Sequence, residues 1–418
     1  MAPTKPLLWL QLLRVAARNV ASHKRRSALA ALAVLLGVTA VTGMRGVLNG
    51  VQRSLRSEAI ESQVGALQVH RAGYMAQVFG TPLDLDLPTD DAFLKRIEDV
   101  PNVVAVAPRI QFGGMVSTGD LTTFVMLQAI DPPREALVCP KRGERLTDGT
   151  LVSAQQADGL VLSAELARRI GARRGPGDQG RVAVLTNDKD GSLNAVDTRL
   201  TGLNGLPRSP GLEKRLGVIG LSHAQALLRM PGRGTEIAIS VKDLSQIEQT
   251  RAAVATVLGK DYQVSTWREL AKMVADATDL QDKVLLLITV VLLVVALVGV
   301  VNTMLMSVLE RTREIGVMLA LGMRRSQIVA LFIMESALIT IGSALPGMVV
   351  ARLLLVWVEA AGLSFQAPGG GLLVLHPELS ATDAIAVLAA VLVGSLAASI
   401  FPARHAAALR PVQALSHL

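Results

Sequence analysis

The sequence predicts an α-helical membrane protein with four transmembrane helices and a large α+β domain inserted between helices 1 and 2. Three observations support this fold class. Half of the residues are hydrophobic, only 3% are aromatic and the mean hydropathy is +0.43, too apolar for an ordinary soluble chain of this length. Four long stretches carry almost no charge. The first two are separated by about 230 residues of mixed composition, enough for a separate domain.

Each stretch of low charge is long enough to cross a membrane. A helix rises about 1.5 Å per residue, so about 20 residues span a hydrocarbon core of about 30 Å. Ser27–Met44, Val284–Leu309 and Ala384–Ala403 are uncharged, and Ser326–Ala351 carries a single acid, Glu335. We place the four transmembrane helices at residues 27–49, 283–309, 326–357 and 381–403.

Basic residues predict the orientation of these helices. Six Lys and Arg side chains lie before Ser27, four Arg in the loop after the second helix, and two in the C-terminal tail. The connection between the third and fourth helices has none. By the positive-inside rule, residues 1–26, 310–325 and 404–418 are cytoplasmic, and residues 50–282 and 358–380 lie outside. The net charge of +8 is therefore an orientation feature and requires no nucleic acid.

The N-terminal segment, residues 1–26, predicts a cytoplasmic amphipathic helix. Leu8, Leu12 and Val15 recur at helical spacing, with Arg14 and Arg18 between them. Such a helix lies in the plane of the membrane interface. Because the first apolar run begins only at Ser27, the segment is typical of a signal anchor and not of a cleaved secretory signal.

Residues 50–282 alternate short strands with helices, which predicts an α+β domain. Val103–Ile110 has a strand pattern that Pro108 is expected to break, and Met115–Leu127 is typical of a hairpin. Cys139 is the only cysteine, so no intrachain disulfide can form and the domain depends on its core. We expect Cys139 to be a small buried hydrophobic residue.

Among the polar residues of the predicted membrane helices, we single out Asn302 and Glu335. An Asn in lipid prefers a hydrogen-bond partner on another helix, so we expect Asn302 to support helix packing. An ionisable residue inside a membrane indicates a functional role, and this applies to Glu335. The alternative, which we favour, is a carboxylate near the cytoplasmic headgroups that pairs with a basic neighbour.

The segment Glu310–Arg325 connects two membrane helices and is amphipathic. Ile315, Met318 and Leu319 fall on one helical face, and arginines lie at both ends. An apolar face in a short cytoplasmic loop usually has a partner. Two interpretations remain open: a surface helix that lies against lipid headgroups, or a docking helix that fits a groove on a separate protein.

Within this segment, E-R-T-R-E-I-G at Glu310–Gly316, followed by A-L-G at Ala320–Gly322, resembles a signature of the FtsX/MacB/LolC–LolE superfamily of ABC-transporter permeases. The resemblance implies that residues 310–325 form the coupling helix, which docks on an ATP-binding subunit. The residues that it assigns to this contact are Glu310, Arg311, Arg313, Glu314, Ile315, Gly316, Met318, Leu319, Leu321 and Gly322.

Other motifs along the chain are similar to those of the superfamily. They are A-A-R-N-V at Ala16–Val20, N-T-M at Asn302–Met304, and F-P-A-R at Phe401–Arg404 followed by P-V-Q-A-L at Pro411–Leu415. The resemblance implies a multi-pass subunit of the bacterial inner membrane with a MacB/LolE-like periplasmic domain and both termini in the cytoplasm. It also implies a second permease chain, identical or paralogous.

The lipoprotein-releasing branch of the superfamily shows further similarity. G-A-L-Q-V-H at Gly65–His70 is similar to that branch, and so is A-I-D-P at Ala129–Pro132, where Ala replaces the family's Gly. The resemblance implies extraction of lipoproteins from the outer leaflet and transfer to a periplasmic carrier. Two alternatives are a MacB-like exporter of amphiphiles or peptides and an FtsX-like regulator of a cell-wall hydrolase. The large external domain argues against the regulator.

Catalytic motifs are absent from the sequence. There is no G-x-x-x-x-G-K-[ST] phosphate-binding loop, no G-x-S-x-G and no metal-ligand spacing of His and Cys. We therefore expect a non-catalytic chain that binds no cofactor, with ATP and Mg²⁺ on a separate ATPase subunit. The segment before the first apolar run is too short for an ATPase domain, in agreement with this expectation.

Overall fold

The computed structural model describes residues 5–22, 24–175, 180–205, 215–366 and 372–408. The chain forms two compact units. We call Met1–Gln52, Asp279–Leu363 and Val374–Leu418 the helical unit. Arg53–Thr278 and Ser364–Leu373 form the second, which we call the α+β unit. The C-terminal motif at Pro411–Leu415 lies outside the described residues.

The helices and strands are as follows. The helices are α1 (Lys5–Ser22), α2 (Lys24–Ala59), α3 (Asp91–Glu98), α4 (Pro132–Val138), α5 (Ala164–Arg169), α6 (Leu221–Leu227), α7 (Ile247–Leu258), α8 (Trp267–Leu270), α9 (Lys272–Glu310), α10 (Thr312–Ala320), α11 (Arg325–Ala360) and α12 (Ala381–Ala408). The strands are β1 (Leu67–Arg71), β2 (Leu87–Pro88), β3 (Val103–Ser117), β4 (Thr122–Ile130), β5 (Leu146–Gly149), β6 (Gly159–Ser163), β7 (Arg181–Asn187), β8 (Leu193–Asn204), β9 (Leu216–Gly220), β10 (Arg233–Gly234), β11 (Glu236–Val241), β12 (Tyr262–Thr266), β13 (Ser364–Gln366) and β14 (Leu372–Val374).

Among the residues that the structure describes, four helices are long and apolar enough to cross a membrane: α2, α9, α11 and α12. All four extend beyond the segments placed from sequence. At 39 residues, α9 is about 58 Å long at 1.5 Å per residue, almost twice the thickness of a hydrocarbon core. These helices, together with an α+β domain inserted after the first, confirm the predicted fold class.

Small residues allow α2 and α11 to approach closely. A Cβ added at Gly347 would lie 2.9 Å from the Leu35 carbonyl oxygen, closer than side chains tolerate. Thr39 Oγ1 donates a hydrogen bond of 3.0 Å to the Gly347 carbonyl oxygen. Gly347 follows Pro346, which lacks an N–H and therefore interrupts the hydrogen bonding of α11 locally. This contact is typical of the small-residue packing of membrane helices.

Polar side chains connect α12 to its neighbours. Ser395 Oγ lies 2.9 Å from Ser336 Oγ and 2.6 Å from Thr340 Oγ1, and all three side chains are buried. Near the start of α12, Asp383 accepts a hydrogen bond of 2.7 Å from Arg45 and one of 2.8 Å from Asn49, both on α2. These contacts fix which faces of the helices meet.

The α+β unit is built on a ten-stranded sheet with the order β12-β1-β11-β3-β4-β9-β6-β8-β5, and β7 pairs with both β3 and β8. Most pairs are antiparallel, but β4 pairs with β9, and β6 with β8, in parallel. The predicted hairpin at Met115–Leu127 is confirmed by the pairing of β3 with β4. Cys139 is a free, buried thiol, as expected.

The predicted break at Pro108 was wrong, because β3 continues through it to Ser117. Pro108 pairs with Ile237 of β11, and pairing with β4 begins one residue later, at Arg109. The strand therefore has a single partner at Pro108, and such an edge position tolerates a missing N–H.

Strand alternation gives the sheet one apolar face and one polar face. On the apolar face, Leu67, Ile237 and Val106 form a core with α3 and α7, and Phe112, Leu127 and Leu162 form another with α5 and α6. On the opposite face, strand register aligns Glu236 with Arg109, and Gln111 with Gln128. These buried and half-buried polar residues form a second layer of the unit.

Candidate functional site

The candidate site is the short helix α10, between two long helices. α9 ends at Glu310, and Arg311 has non-helical backbone angles (φ −107°, ψ 16°) before α10 begins. At the other end, Gly322 has a φ of +91°, and Met323 N donates a hydrogen bond of 3.1 Å to the Met318 carbonyl oxygen. Glycine suits this left-handed position at a helix end. Gly322 thus accounts for the bend between α10 and α11.

The apolar face of α10 packs against its own chain. Ile315 is fully buried in one cluster with Val308 and Phe332, and Met318 and Leu319 pack against the same cluster. Gly316 is also buried. This placement accounts for the apolar pattern for which the sequence analysis left two interpretations open, contact with lipid headgroups or docking on another protein. The surface open to a partner is therefore smaller than the ten residues named above.

The exposed part of the segment carries charges and one large apolar side chain. Leu321 is 82% exposed, the largest exposed fraction among the large hydrophobic residues that the structure describes. The other exposed members of the predicted contact are Glu310, Arg313, Glu314 and Gly322. An exposed leucine among charges, next to a helix end, is a compact surface on which another protein could dock.

Arg311 and Glu335 form a buried ion pair that joins α10 to α11. Arg311 Nη1 lies 3.1 Å from Glu335 Oε1, and the two side chains are 8% and 6% exposed. Asn19 Nδ2, on α1, donates a hydrogen bond of 2.6 Å to the same carboxylate oxygen. Arg311 Nε also pairs with Glu314 at 2.8 Å. The sequence analysis favoured a basic partner for Glu335, and the structure identifies that partner as Arg311.

The contacts that Arg311 and Asn19 make with Glu335 restrict the movement of α10. Removing one partner of a buried ion pair costs about 3–5 kcal/mol, because the other charge stays buried without compensation. Separation of the start of α10 from α11 or from α1 therefore has a large free-energy cost. A cavity of about 20 Å³ adjoins the pair, and both polar side chains such as Ser27 and Ser307 and apolar ones such as Met304 line it. It has about the volume that one water molecule needs.

Asn302 lies elsewhere on the helical unit. Its side chain is exposed on α9. The adjacent Thr303 donates its hydroxyl to the Gly299 carbonyl oxygen of the same helix at 2.8 Å. The structure thus places Asn302 on the outer surface of the helical unit, apart from the network around Glu335.

A second cluster of buried charges lies on the polar face of the sheet in the α+β unit, and the sequence analysis missed it. Arg109 forms two hydrogen bonds to Glu135, of 2.7 and 2.9 Å, and Arg142 Nε lies 2.8 Å from the same carboxylate. Glu236 lies 3.5 Å from Arg109 and 3.7 Å from His70 Nε2. The sequence pattern that could have indicated this cluster is the occurrence of polar residues at alternate positions along the strands.

The ionisation of this cluster follows from its contacts. Burial alone raises the pKa of Glu236, but the contact with His70 and the charge of Arg109 outweigh it and lower the pKa to about 2. Burial also raises the pKa of Glu135, and the charges of Arg109 and Arg142 reverse this effect and hold it below its usual value. Both carboxylates are therefore ionised at neutral pH and balance the two arginines.

Comparisons with known proteins cover nearly the whole chain. The MacB-like periplasmic core domain family matches residues 27–257, more than half of the chain, and the FtsX-like permease C-terminal family matches residues 286–411. The second match includes the α9–α10–α11 connection.

Three relatives illustrate the similarity. The macrolide export ATP-binding/permease protein MacB of Agrobacterium fabrum is 24% identical over 97% of this chain and 60% of its own length. The pyoverdine export ATP-binding/permease protein PvdT of Pseudomonas entomophila is 26% identical over 97% of this chain and 60% of its own length. An uncharacterised ABC transporter permease of Methanocaldococcus jannaschii is 23% identical over 95% of this chain and 96% of its own. The chain thus spans about 60% of the length of the first two relatives.

Among solved structures, the periplasmic region of MacB from Actinobacillus actinomycetemcomitans matches 52% of this chain and 95% of its own length, with 12% identity and a TM-score of 0.36. The assignment rests on the family matches, which agree with the four apolar helices and the inserted α+β domain. The chain belongs to the MacB/FtsX superfamily of ABC-transporter permeases.

Proposed function

We propose that this chain is the non-catalytic permease subunit of a mechanotransmission-type ABC transporter. The observation that carries the proposal is the buried contact between Arg311 at the start of α10 and Glu335 of α11. A displacement of α10 by an ATPase subunit is passed to α11 through this ion pair, and to α1 through Asn19. Because the chain has no phosphate-binding loop, ATP and Mg²⁺ are bound by the ATPase subunit in this proposal.

The relay works by shifting a conformational equilibrium. ATP can move the permease between two states only by the difference in the affinity of the ATPase for those states. Because the contact between α10 and α11 is rigid, a movement of α10 also moves α11. A flexible loop would absorb the movement locally. Leu321 and the neighbouring charged residues supply the surface on which the ATPase docks in this proposal.

A second permease chain completes the proposed complex. The outward side of α9 exposes large apolar side chains, of which Leu287, Val295 and Val298 are each more than 60% exposed. Asn302 is exposed on the same helix. A polar residue on an apolar helix face suits a contact with another helix, which supplies its hydrogen bond in lipid. We infer that α9 contributes to the contact between the two permease chains, identical or paralogous.

The proposed topology follows from the arginines. Both termini and α10 face the cytoplasm of a bacterial inner membrane, and the α+β unit lies in the periplasm. This places α10 on the side where ATP is available. A cysteine at position 321 should then react with a membrane-impermeant maleimide in inside-out vesicles and not in intact cells with a permeabilised outer membrane.

The cargo we propose is an amphiphile, and two classes have separate support. The motifs at Gly65–His70 and Ala129–Pro132 favour a lipoprotein taken from the outer leaflet and handed to a periplasmic carrier. The names of the relatives, which refer to macrolide and pyoverdine export, favour a small amphiphilic compound instead. Purification of the complex in mild detergent, with mass spectrometry of bound molecules, separates them. Triacylated lipoproteins support the first class, and an outer-membrane channel without lipoprotein supports the second.

The docking surface is tested by Leu321→Asp. Leu321 is exposed, so the substitution leaves the buried core of the chain unchanged. It places an unpaired carboxylate in the proposed interface, and we expect the ATPase subunit to be lost on purification. Gly322→Trp should also uncouple the complex, but the φ of +91° makes it strain the end of α10 as well. Leu363→Asp, at a residue 50% exposed, is the matched control. Retention of a fully active ATPase by Leu321→Asp would refute docking at this surface.

A further inference from the structure

The α+β unit encloses a cavity of about 420 Å³ on the polar face of its sheet. Its floor is formed by residues of β1, β3, β4, β9 and β11, and the π-helical turn Ile60–Val64 and the 3₁₀ helix Tyr74–Gly80 contribute to its wall. Packing defects in protein cores are rarely much larger than a water molecule. Cavities of about 300–1,000 Å³ are the usual size of sites for small ligands.

The lining of the cavity is divided into an apolar part and a polar part. The apolar part is contributed by Met75, Val78, Met126, Leu216, Val218 and Leu270. The polar part includes His70, Gln128, Arg142, Arg145, Asn204 and Glu236. A ligand that fits both parts has an apolar segment and a polar group, so it is an amphiphile.

His70 lines this cavity, and its ring leaves one buried nitrogen without a partner among the described residues. Its side chain is 1% exposed and its ring stacks on Tyr74 with the centroids 4.9 Å apart. Nε2 faces the Glu236 carboxylate at 3.7 Å, which favours the tautomer with the proton on Nε2. Nδ1 is then an acceptor, and it has no hydrogen-bond partner among the described residues. Asn204 Oδ1, a second lining acceptor, has none there either.

The charged groups of the cavity already have partners. Arg145, which also lines the cavity, lies 3.5 Å from Glu58. Glu236 accepts a hydrogen bond of 2.9 Å from Gln128, and Arg142 donates one of 2.7 Å to Gln128 and lies 2.8 Å from Glu135. A ligand with a full charge would have to displace these partners. A neutral group that carries hydroxyl or amide N–H donors satisfies the two free acceptors without disturbing the pairs.

We propose that this cavity binds an amphiphile whose polar end carries hydroxyl or amide N–H donors, with its apolar segment against Met126, Leu216 and Val218. Nothing in the family matches or the names of the relatives assigns a ligand to this cavity. That the ligand is transported rests on the proposed function, but binding itself requires neither ATP nor an ATPase subunit. Acylated proteins and small hydroxylated compounds share this chemistry.

The test is photolabelling of the full chain in phosphatidylcholine nanodiscs. The probe is N-dodecanoylethanolamine with a diazirine in its chain, and the matched probe is the corresponding methyl dodecanoate, which has no donor. We expect the first probe to label residues of the cavity lining about three- to tenfold more than the second, the contribution of one or two hydrogen bonds. Equal labelling by both probes, or labelling confined to the membrane helices, would overturn the proposal.

Two variants and one control sharpen the result. Val218→Trp fills the cavity and should abolish labelling of its lining. His70→Phe keeps a ring to stack on Tyr74 but removes the acceptor, so the preference for the first probe should fall to about one. Leu193→Trp, at a side chain 73% exposed, should change neither the labelling of the lining nor the preference for the first probe. Since His70→Phe requires no extra volume, it tests the proposal even if Val218→Trp fails to fold.

Competition distinguishes the sources of the ligand. An excess of a synthetic triacylated lipopeptide, or of dodecyl maltoside, is added before illumination. Suppression of cavity labelling by the lipopeptide indicates acylated proteins, and suppression by dodecyl maltoside alone indicates small hydroxylated amphiphiles. If neither competitor suppresses it, the labelling is non-specific and the proposal is wrong. Loss of the ATPase from Leu321→Asp leaves all these outcomes unchanged, so the two proposals can fail separately.

Discussion

The ion pair between Arg311 and Glu335 predicts strong coupling between two substitutions. Arg311→Met and Glu335→Leu each remove one charge and retain an apolar side chain of comparable length or volume. Each single variant leaves the other charge buried, at 8% or 6% exposure. The double variant leaves neither charge. We therefore expect the double variant to be more stable than the sum of the two single effects.

The magnitude follows from the contacts that remain. Removal of one partner of a buried pair costs about 3–5 kcal/mol. In Glu335→Leu, Arg311 keeps Glu314, but that side chain is 62% exposed, so the remaining pair offsets about 1 kcal/mol at most. In Arg311→Met, Glu335 keeps the hydrogen bond from Asn19. We expect each single variant to lose about 3 kcal/mol and the coupling free energy to be about 2–3 kcal/mol.

The assay uses the natural tryptophans. Trp9 lies in α1 and Trp357 in α11, so both report on the helical unit, whereas Trp267 lies in the α+β unit. In a Trp267→Phe background, the fluorescence of the full chain is followed during unfolding by sodium dodecyl sulfate in mixed micelles. The free energy of unfolding is obtained for the parent, both single variants and the double variant.

The result that would refute the reasoning is simple additivity. If the loss in the double variant equals the sum of the two single losses, the contact between Arg311 and Glu335 contributes no net energy. The relay from α10 to α11 would then lack its physical basis. A Ser326→Ala variant, at an exposed residue of α11, is the control and should unfold as the parent does.

Two further predictions concern other parts of the chain. Gly347→Ala should destabilise the helical unit by about 1–3 kcal/mol in the same assay, since its Cβ would clash with the Leu35 carbonyl. Gly342→Ala should not destabilise the unit, because no atom lies within 4 Å of the added Cβ. An equal loss of stability in both variants would contradict the close contact between Gly347 and α2. The stability of the α+β unit should depend on Glu236, whose pKa is lowered to about 2. Its contribution is present above about pH 4.5 and is lost as the pH falls towards 2. Glu236→Gln should make the free energy of unfolding depend less on pH, as measured by Trp267 fluorescence in urea. An unchanged dependence on pH would contradict the role of Glu236.

The sequence predicted the parts of the fold that depend on local pattern. Charge-free stretches identified the four membrane helices, and amphipathic spacing with Gly322 near the end identified α10. The hairpin between β3 and β4 was predicted for the same reason, since its turn is local. The parallel pairing of β4 with β9 was not predicted, because it joins strands that are far apart in the chain.

The candidate site was predicted less completely, for two physical reasons. An apolar face on a short helix is the same pattern whether it packs on its own chain or on a partner, so the burial of Ile315 was not visible in the sequence. A buried polar group needs a partner, but sequence does not say which one. Glu335 is bound by Asn19, which lies in the first helix of the chain, as well as by Arg311.

The order of Arg311 and Glu335 along the chain bears on how the protein enters the membrane. Arg311 precedes Glu335 in synthesis, so the base is already present when α11 emerges. A lone carboxylate in an inserting helix costs at most about 2.5–3.5 kcal/mol, the value at the helix centre, and this cost hinders partitioning into lipid. When α9, α10 and α11 insert together as one hairpin, the two charges neutralise each other from the start. We therefore expect biogenesis to proceed by helical pairs, with α1 joining after the hairpin is in place.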